Sequence, residues 1–154
     1  KIVEENVQHF YIIDCANRKD IVLKELKNCI KKGVEKLFTY RCPYIIPQDL
    51  YSKVKLGAYN IHPSLLPKYP GLNPWFEIFE NKTRETGVTI HHMDVTPDVG
   101  EIISQEKFEI LNQDTIESAR EKSDIVASNS TPVTAISPSS KIPISFAIAV
   151  AVIL

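Results

Sequence analysis

Apolar positions along the chain change their period several times, and each change marks an element. Phe10-Tyr11-Ile12-Ile13 is a short run of β-forming residues closed by Asp14, the pattern of a strand covered on both faces. From Asn17 the spacing switches to three and four. Leu23, Leu26 and Ile30 share one helical face, Asn17 offers a cap, Lys31 and Lys32 suit the last turn, and Gly33 supplies a left-handed stop. Val34 to Tyr40 is strand-like again. A strand, a helix and a strand in that order close most readily as a parallel unit, so residues 10–40 predict an α/β fold.

Pro43 and Pro47 then bracket a loop, Tyr51 to Lys55 suits one helical turn, and Ala58 to Ile61 reads as a third strand pointing the same way. In open parallel sheets the ligand crevice lies outside the carboxyl ends of the strands, where His62 emerges. Pro74 starts a helix that carries Trp75, Phe76, Ile78 and Phe79 inward and ends near Asn81. Thr86 to Met93 alternates, with Val88, Ile90 and His92 on one face and Gly87, Thr89 and His91 on the other. Ile102-Ile103 and Phe108 with Ile110 predict two further short strands. Asp114-Thr115-Ile116-Glu117 suits the start of a helix running to about Lys122.

Past Lys122 the pattern is lost. Only Asp124 and Lys141 are charged there, residues 123–143 are rich in Ser, Thr and Pro, and the chain closes on the apolar run from Ile144 to Leu154. That run is shorter than the roughly 20 residues needed to span a bilayer. A shift of reading frame would produce such a break, and a family-specific linker followed by a final buried strand is the alternative. The expectation is therefore a catalytic domain over 1–122 and an atypical tail over 123–154, weakly packed and with an apolar end that would favour a homo-oligomer.

Composition adds exclusions more than assignments. At 154 residues and 44% apolar content the chain has room for one core. With 18 basic and 19 acidic residues it has no field to steer nucleic acid or a membrane toward it, which points to a small-molecule partner. Its three cysteines and four histidines have no metal-ligand spacing, so no metal is expected. Lys1 to Glu5 lacks the features of a secretory signal, and with cysteines that are odd in number and lack disulfide-framework spacing the expected location is cytoplasmic.

The chemistry concentrates in three segments. Asn60-Ile61-His62-Pro63-Ser64-Leu65-Leu66-Pro67-Lys68-Tyr69-Pro70-Gly71 comes first, followed by Thr86-Gly87-Val88-Thr89-Ile90-His91 and Asp98-Val99-Gly100-Glu101-Ile102-Ile103. Asn60 and His62 are two apart, so on an extended strand both leave the same face, and Pro63 keeps His62 out of helical geometry. An amide donor, a histidine and a carboxylate together can stabilise a negative oxygen and move a proton. The histidine and the carboxylate have plain structural alternatives: a satisfied histidine at a strand end, and Asp98 as a turn residue after Pro97.

In order and spacing, these three segments resemble the folate-dependent formyltransferases over residues 8–122. The resemblance implies a Rossmann-like, mainly parallel sheet flanked by helices, with 10-formyltetrahydrofolate as cofactor. It also implies attack by an amine on the formyl carbon through a tetrahedral intermediate. Asn60 and His62 would be the oxygen-stabilising pair and Asp98 the proton-handling carboxylate. His91 would support the site. The pterin would be read by backbone groups at Tyr44-Ile45-Ile46 and at Asp94-Val95-Thr96-Pro97-Asp98.

The implied substrate is the amine of a small molecule, an amino sugar nucleotide or glycinamide ribonucleotide. Members of the family usually carry an earlier strand and a Gly-containing turn that help hold that amine. A formyltetrahydrofolate hydrolase and a non-enzymatic remnant are the alternatives. Lys68 reads as a solvated surface lysine, and Trp75, Phe76 and Phe79 as core.

Overall fold

The computed structural model describes residues 7–130 and 147–153. Lys1 to Glu5 and most of the Ser-, Thr- and Pro-rich stretch, from 131 on, lie outside the described residues. The chain runs β1 (Val7–Asp14), α1 (Lys19–Lys31), β2 (Lys36–Tyr40), α2 (Gln48–Tyr51), β3 (Ala58–His62) and α3 (Pro74–Glu80). It continues through β4 (Glu85–His92), β5 (Ile102–Glu109), α4 (Ile116–Ser130) and β6 (Ala147–Ile153).

Alternation along the strands sorts the core into two layers. Leu37 and Ala58 turn toward α1 and pack with Val22, Leu26 and Cys29. Phe38, Tyr40, Ile61, Val88 and Ile90 turn the other way, against Ala127 of α4. Leu26 and Leu37 are fully buried, each worth about 1.5–3 kcal/mol relative to exposure. Trp75 and Ile78 of α3 meet Ile110 and Ala119 in a third cluster beside the second.

The α/β class and the flanking helices stand as the sequence indicates, with a mixed sheet of order β1-β6-β2-β3-β4-β5. β2 and β3 pair in parallel, and β4 and β5 extend the sheet antiparallel. β6 is antiparallel to both β1 and β2, so β1, β2 and β3 point the same way. The strand, helix, strand unit of residues 10–40 is thus real, but β6 separates its two strands. The expectation of a weakly packed apolar tail fails for 147–153. An unbroken apolar run suits a strand with neighbours on both edges, which is how β6 sits.

Four boundaries differ from the sequence reading. Arg18, not Asn17, occupies the α1 N-cap, because the Asn17 amide donates to the Asp14 carbonyl at 3.3 Å in the preceding turn. The short helix lies at 48–51, where the Pro47 carbonyl accepts from Leu50 and Tyr51. One strand, β5, replaces the two expected. α4 continues past Lys122 because Ala119, Ser123 and Ala127, four apart, are small enough to lie flat on the sheet. Gly33 ends α1 at φ +88°, as its position suggested. In α3, Trp75 and Ile78 are buried as expected, whereas Phe76, between them, is 66% exposed.

Candidate active site

Asn60 and His62 leave β3 on the α1 side of the sheet, and the register sets Asn60 opposite His91 of β4. Asp98 closes the group from the loop after β4. Its Oδ1 lies 3.3 Å from Asn60 Nδ2, 3.5 Å from His62 Nδ1 and 3.5 Å from His91 Nε2. Its Oδ2 accepts the Gly71 N–H at 2.8 Å. The three residues singled out from sequence therefore meet at one carboxylate, and His91 joins them from beneath.

The hydrogen bonds assign the ring protons. His91 Nδ1 faces the His92 carbonyl at 2.9 Å and must donate, which leaves Nε2 to accept from Asn60 Nδ2 at 3.2 Å. His62 Nε2 faces the Tyr69 carbonyl at 2.8 Å and must donate, which leaves Nδ1 toward Asp98. Burial lowers the His62 pKa, with Asp98 pulling the other way, so the ring is neutral at pH 7. Burial alone would raise the Asp98 carboxyl. The protonated forms of the His91 and His62 rings, with the Gly71 N–H, outweigh it and hold the carboxyl below its usual range. Asn60 uses both amide hydrogens, and its Oδ1 accepts from Thr39 Oγ1 at 2.7 Å, so the amide cannot flip without losing all three contacts.

The loop that follows is clamped by residues the sequence motif did not single out. Thr89 Oγ1 donates to the Ser64 carbonyl at 2.6 Å and accepts from Leu66 N at 3.0 Å. Gln105 Nε2 reaches Thr89 Oγ1 at 2.9 Å and the Leu66 carbonyl at 2.8 Å. Ser64 Oγ donates to the carbonyls of Lys68 and Tyr69 at 2.7 and 3.0 Å, steadying the same carbonyl that holds His62. The side chain of Lys68 is exposed. Tyr69 and Asp98 both take left-handed conformations, φ +56° and +60°, which turn the Tyr69 carbonyl and the Asp98 carboxylate into the site.

A cavity of about 620 Å³ opens over this group at the carboxyl ends of β2 and β3. Of the expected cofactor-binding residues, Tyr44, Ile45, Ile46, His91, Asp94 and Pro97 line it. Val95 and Thr96 are exposed and lie outside the lining, because the Thr96 N–H turns back to Asp94 Oδ1 at 3.0 Å. Arg41, Cys42, Asn73, Trp75 and Arg120 also line the cavity and were not anticipated. Arg120 Nε is buried and has no hydrogen-bond partner among the described residues, while Nη2 reaches Asn73 Oδ1 only at 3.4 Å. Among the described residues no group of three or more His, Cys, Asp or Glu side chains is placed to hold a metal ion.

The family model described as "Formyl transferase" matches residues 16–133, which include every group named in this site. The chain belongs to the formyl transferase family. A methionyl-tRNA formyltransferase from Staphylococcus aureus is 33% identical over 106 residues, 69% of this chain and 34% of that protein. Among solved structures, phosphoribosylglycinamide formyltransferase from Bacillus halodurans is 36% identical with a TM-score of 0.53, covering 64% of this chain and 50% of that one. The formyltransferase PseJ from Anoxybacillus kamchatkensis, solved with UDP-4,6-dideoxy-4-formamido-L-AltNAc and tetrahydrofolate, is 29% identical. Its TM-score is 0.58, over 73% of this chain and 55% of that one. The chain thus spans about a third of the length of the first curated relative. These solved relatives share the Rossmann-like α/β architecture.

Proposed function

We propose that this chain carries the catalytic group for transfer of a formyl unit from 10-formyltetrahydrofolate to the amine of a small molecule. The observation that carries the reading is the meeting of Asn60, His62 and His91 on the Asp98 carboxylate at the floor of one cavity. The cavity suits a folate: Tyr44, Ile46, Met93 and Pro97 give an apolar wall for a flat ring, and the polar group sits at the inner end. Tyr44 to Ile46 and Asp94 to Pro97 are the segments that would hold it. When bound, 10-formyltetrahydrofolate supplies the activated formyl carbon.

The side chains divide the remaining work. Asn60 Nδ2, once substrate replaces its contact with Asp98, and the His62 ring, once protonated at Nδ1, become donors for a carbonyl oxygen as it gains negative charge. Asp98 takes up the proton that an attacking amine must lose and passes it to His62 Nδ1, 3.5 Å away, so that the imidazolium formed faces the restored carboxylate. His91 positions Asn60. Arg120 on the cavity wall, with Nε unpartnered among the described residues, favours an amine that carries phosphate, a description that fits glycinamide ribonucleotide and amino sugar nucleotides alike. Arg41, which also lines the cavity, pairs with Asp124 at 3.4 Å. The cytoplasm, where thiols stay reduced, fits the three cysteines.

The test is tetrahydrofolate production from 10-formyltetrahydrofolate by the purified chain. It is run without amine and with glycinamide ribonucleotide, an amino sugar nucleotide or methionyl-tRNA. Amine-dependent turnover with one of the small molecules is expected, falling by roughly two to four powers of ten in His62→Ala. Formate release indifferent to every amine would make the chain a hydrolase, turnover with the tRNA alone would move the substrate class, and absence of folate binding would end the reading.

A further inference from the structure

Cys15 and Cys42 sit outside the catalytic group and no step of the proposed transfer uses them. Cys15 follows β1 and is buried at 1% exposure, whereas Cys42 follows β2, is half-buried and lines the cavity. Their sulfurs are 3.3 Å apart, with Cys15 Sγ donating to Cys42 Sγ. The pair is brought together by topology, since Asp14 and Tyr40 end strands that point the same way on either side of β6. Cys29, the third thiol, packs in the α1 core.

We propose that Cys15 and Cys42 form a dithiol modification site in the cavity wall that a hydroperoxide converts to a disulfide. Cys42 is the attacking thiol, because it alone of the pair reaches the cavity. The hydrogen bond from Cys15 also lowers its pKa, against the effect of burial, and so favours the reactive thiolate. The Cys42 thiolate takes the terminal oxygen of the hydroperoxide, breaking the O–O bond and releasing an alcohol or water, and becomes a sulfenic acid. Cys15 then attacks the Cys42 sulfur through its own sulfur, the S–O bond breaks, and the hydroxide leaves as water with the Cys15 proton. Two thiols lose two electrons and two protons, and the peroxide is reduced. A disulfide needs its sulfurs about 2.05 Å apart, so closing the bond draws the Cys42 segment of the wall inward by roughly an ångström.

The experiment treats the full chain with hydrogen peroxide, counts thiols under denaturing conditions and maps peptides by mass spectrometry. Reactive thiols should fall from three to one, with a Cys15–Cys42 cross-link lighter by two hydrogens and full recovery on reduction. In Cys15→Ser, Cys42 should stop at a sulfenic acid that dimedone traps, and Cys42→Ser should keep both of its thiols. Three surviving thiols, a link that includes Cys29, a link only between chains, or equal oxidation in Cys42→Ser would each overturn the site. The wild-type arm alone decides this if a variant does not fold, and none of it depends on folate binding.

Discussion

Gly100 lies against the backbone of His92, so closely that a Cβ on Gly100 would come 1.8 Å from the His92 carbonyl oxygen. That oxygen is the acceptor for His91 Nδ1, and through it the His91 ring is fixed with Nε2 toward Asn60. A methyl group at position 100 must displace the carbonyl that sets the tautomer. Gly100→Ala is expected to destabilise the fold by about 1–3 kcal/mol, the usual range for overpacking. It should also lower turnover while the remaining folded protein still binds ligand. Urea unfolding together with kinetics on the folded fraction checks this, and a variant as active and as stable as wild type would remove Gly100 from the site's support.

Two threonines three apart on β4 should respond oppositely to the same substitution. Thr89 Oγ1 joins Ser64, Leu66 and Gln105, so Thr89→Val strands buried polar groups and should cost about 1–3 kcal/mol. Thr86 is equally buried, but its Oγ1 has no hydrogen-bond partner among the described residues. Thr86→Val exchanges an unsatisfied hydroxyl for a methyl of similar shape and should be neutral or stabilising. Denaturation midpoints of the two variants decide it; a matching loss in both would contradict the hydrogen-bond assignment.

These residues show what the sequence could and could not disclose. That Asn60 and His62 share a face was legible because a two-residue spacing on a strand needs no tertiary information, whereas their roles came from the family resemblance. Asp98 and His91 followed from the family resemblance. Thr39, Thr89 and Gln105 were not legible, because each acts by touching a segment distant in sequence, and a threonine facing a layer has the same local pattern whether or not it has a partner. Val95 and Thr96 were expected against the cofactor from the family resemblance, through their backbone, and their side chains are exposed beside a turn closed by Asp94. The place of β6 was hidden for the same reason: hydrophobic period gives a strand its faces, not its neighbours.

Acid should weaken the fold through His62 before it reaches the carboxylates. Burial holds the folded His62 pKa below its unfolded value of about 6.5. Between those two values the unfolded chain binds more protons, so His62's contribution is complete above about pH 6.5 and is lost as pH falls below it. Asp98, Tyr69 and His91 are the groups that face it. Asp98 and Asp114 are both held low, Asp114 at about 2 by Lys122, the Leu111 N–H and Ser118. Their limb appears only below about pH 4, as the unfolded carboxylates protonate. Urea midpoints from pH 7.5 to 5 should fall in wild type and stay flatter in His62→Gln. Parallel profiles would show that His62 is not the group titrating.

The position of β6 makes the sharpest test of the fold. Val150 faces Tyr11 of β1 and Leu37 of β2 across the two ladders, so its backbone lies in the interior of the sheet. Proline there has no N–H to give and its ring disturbs a neighbouring strand, a substitution that interior strands do not accept. Alanine at the same position shortens the side chain but keeps the backbone N–H that the ladder needs. Comparing Val150→Pro with Val150→Ala therefore isolates the backbone. Proline is expected to cost about 1–3 kcal/mol more than alanine, the cost of an unmet buried hydrogen bond. If residues 147–153 were a loose tail, as their composition suggested, the two variants would unfold at the same urea concentration. A difference confined to the proline variant would assign the segment to the sheet, whatever its origin in the sequence.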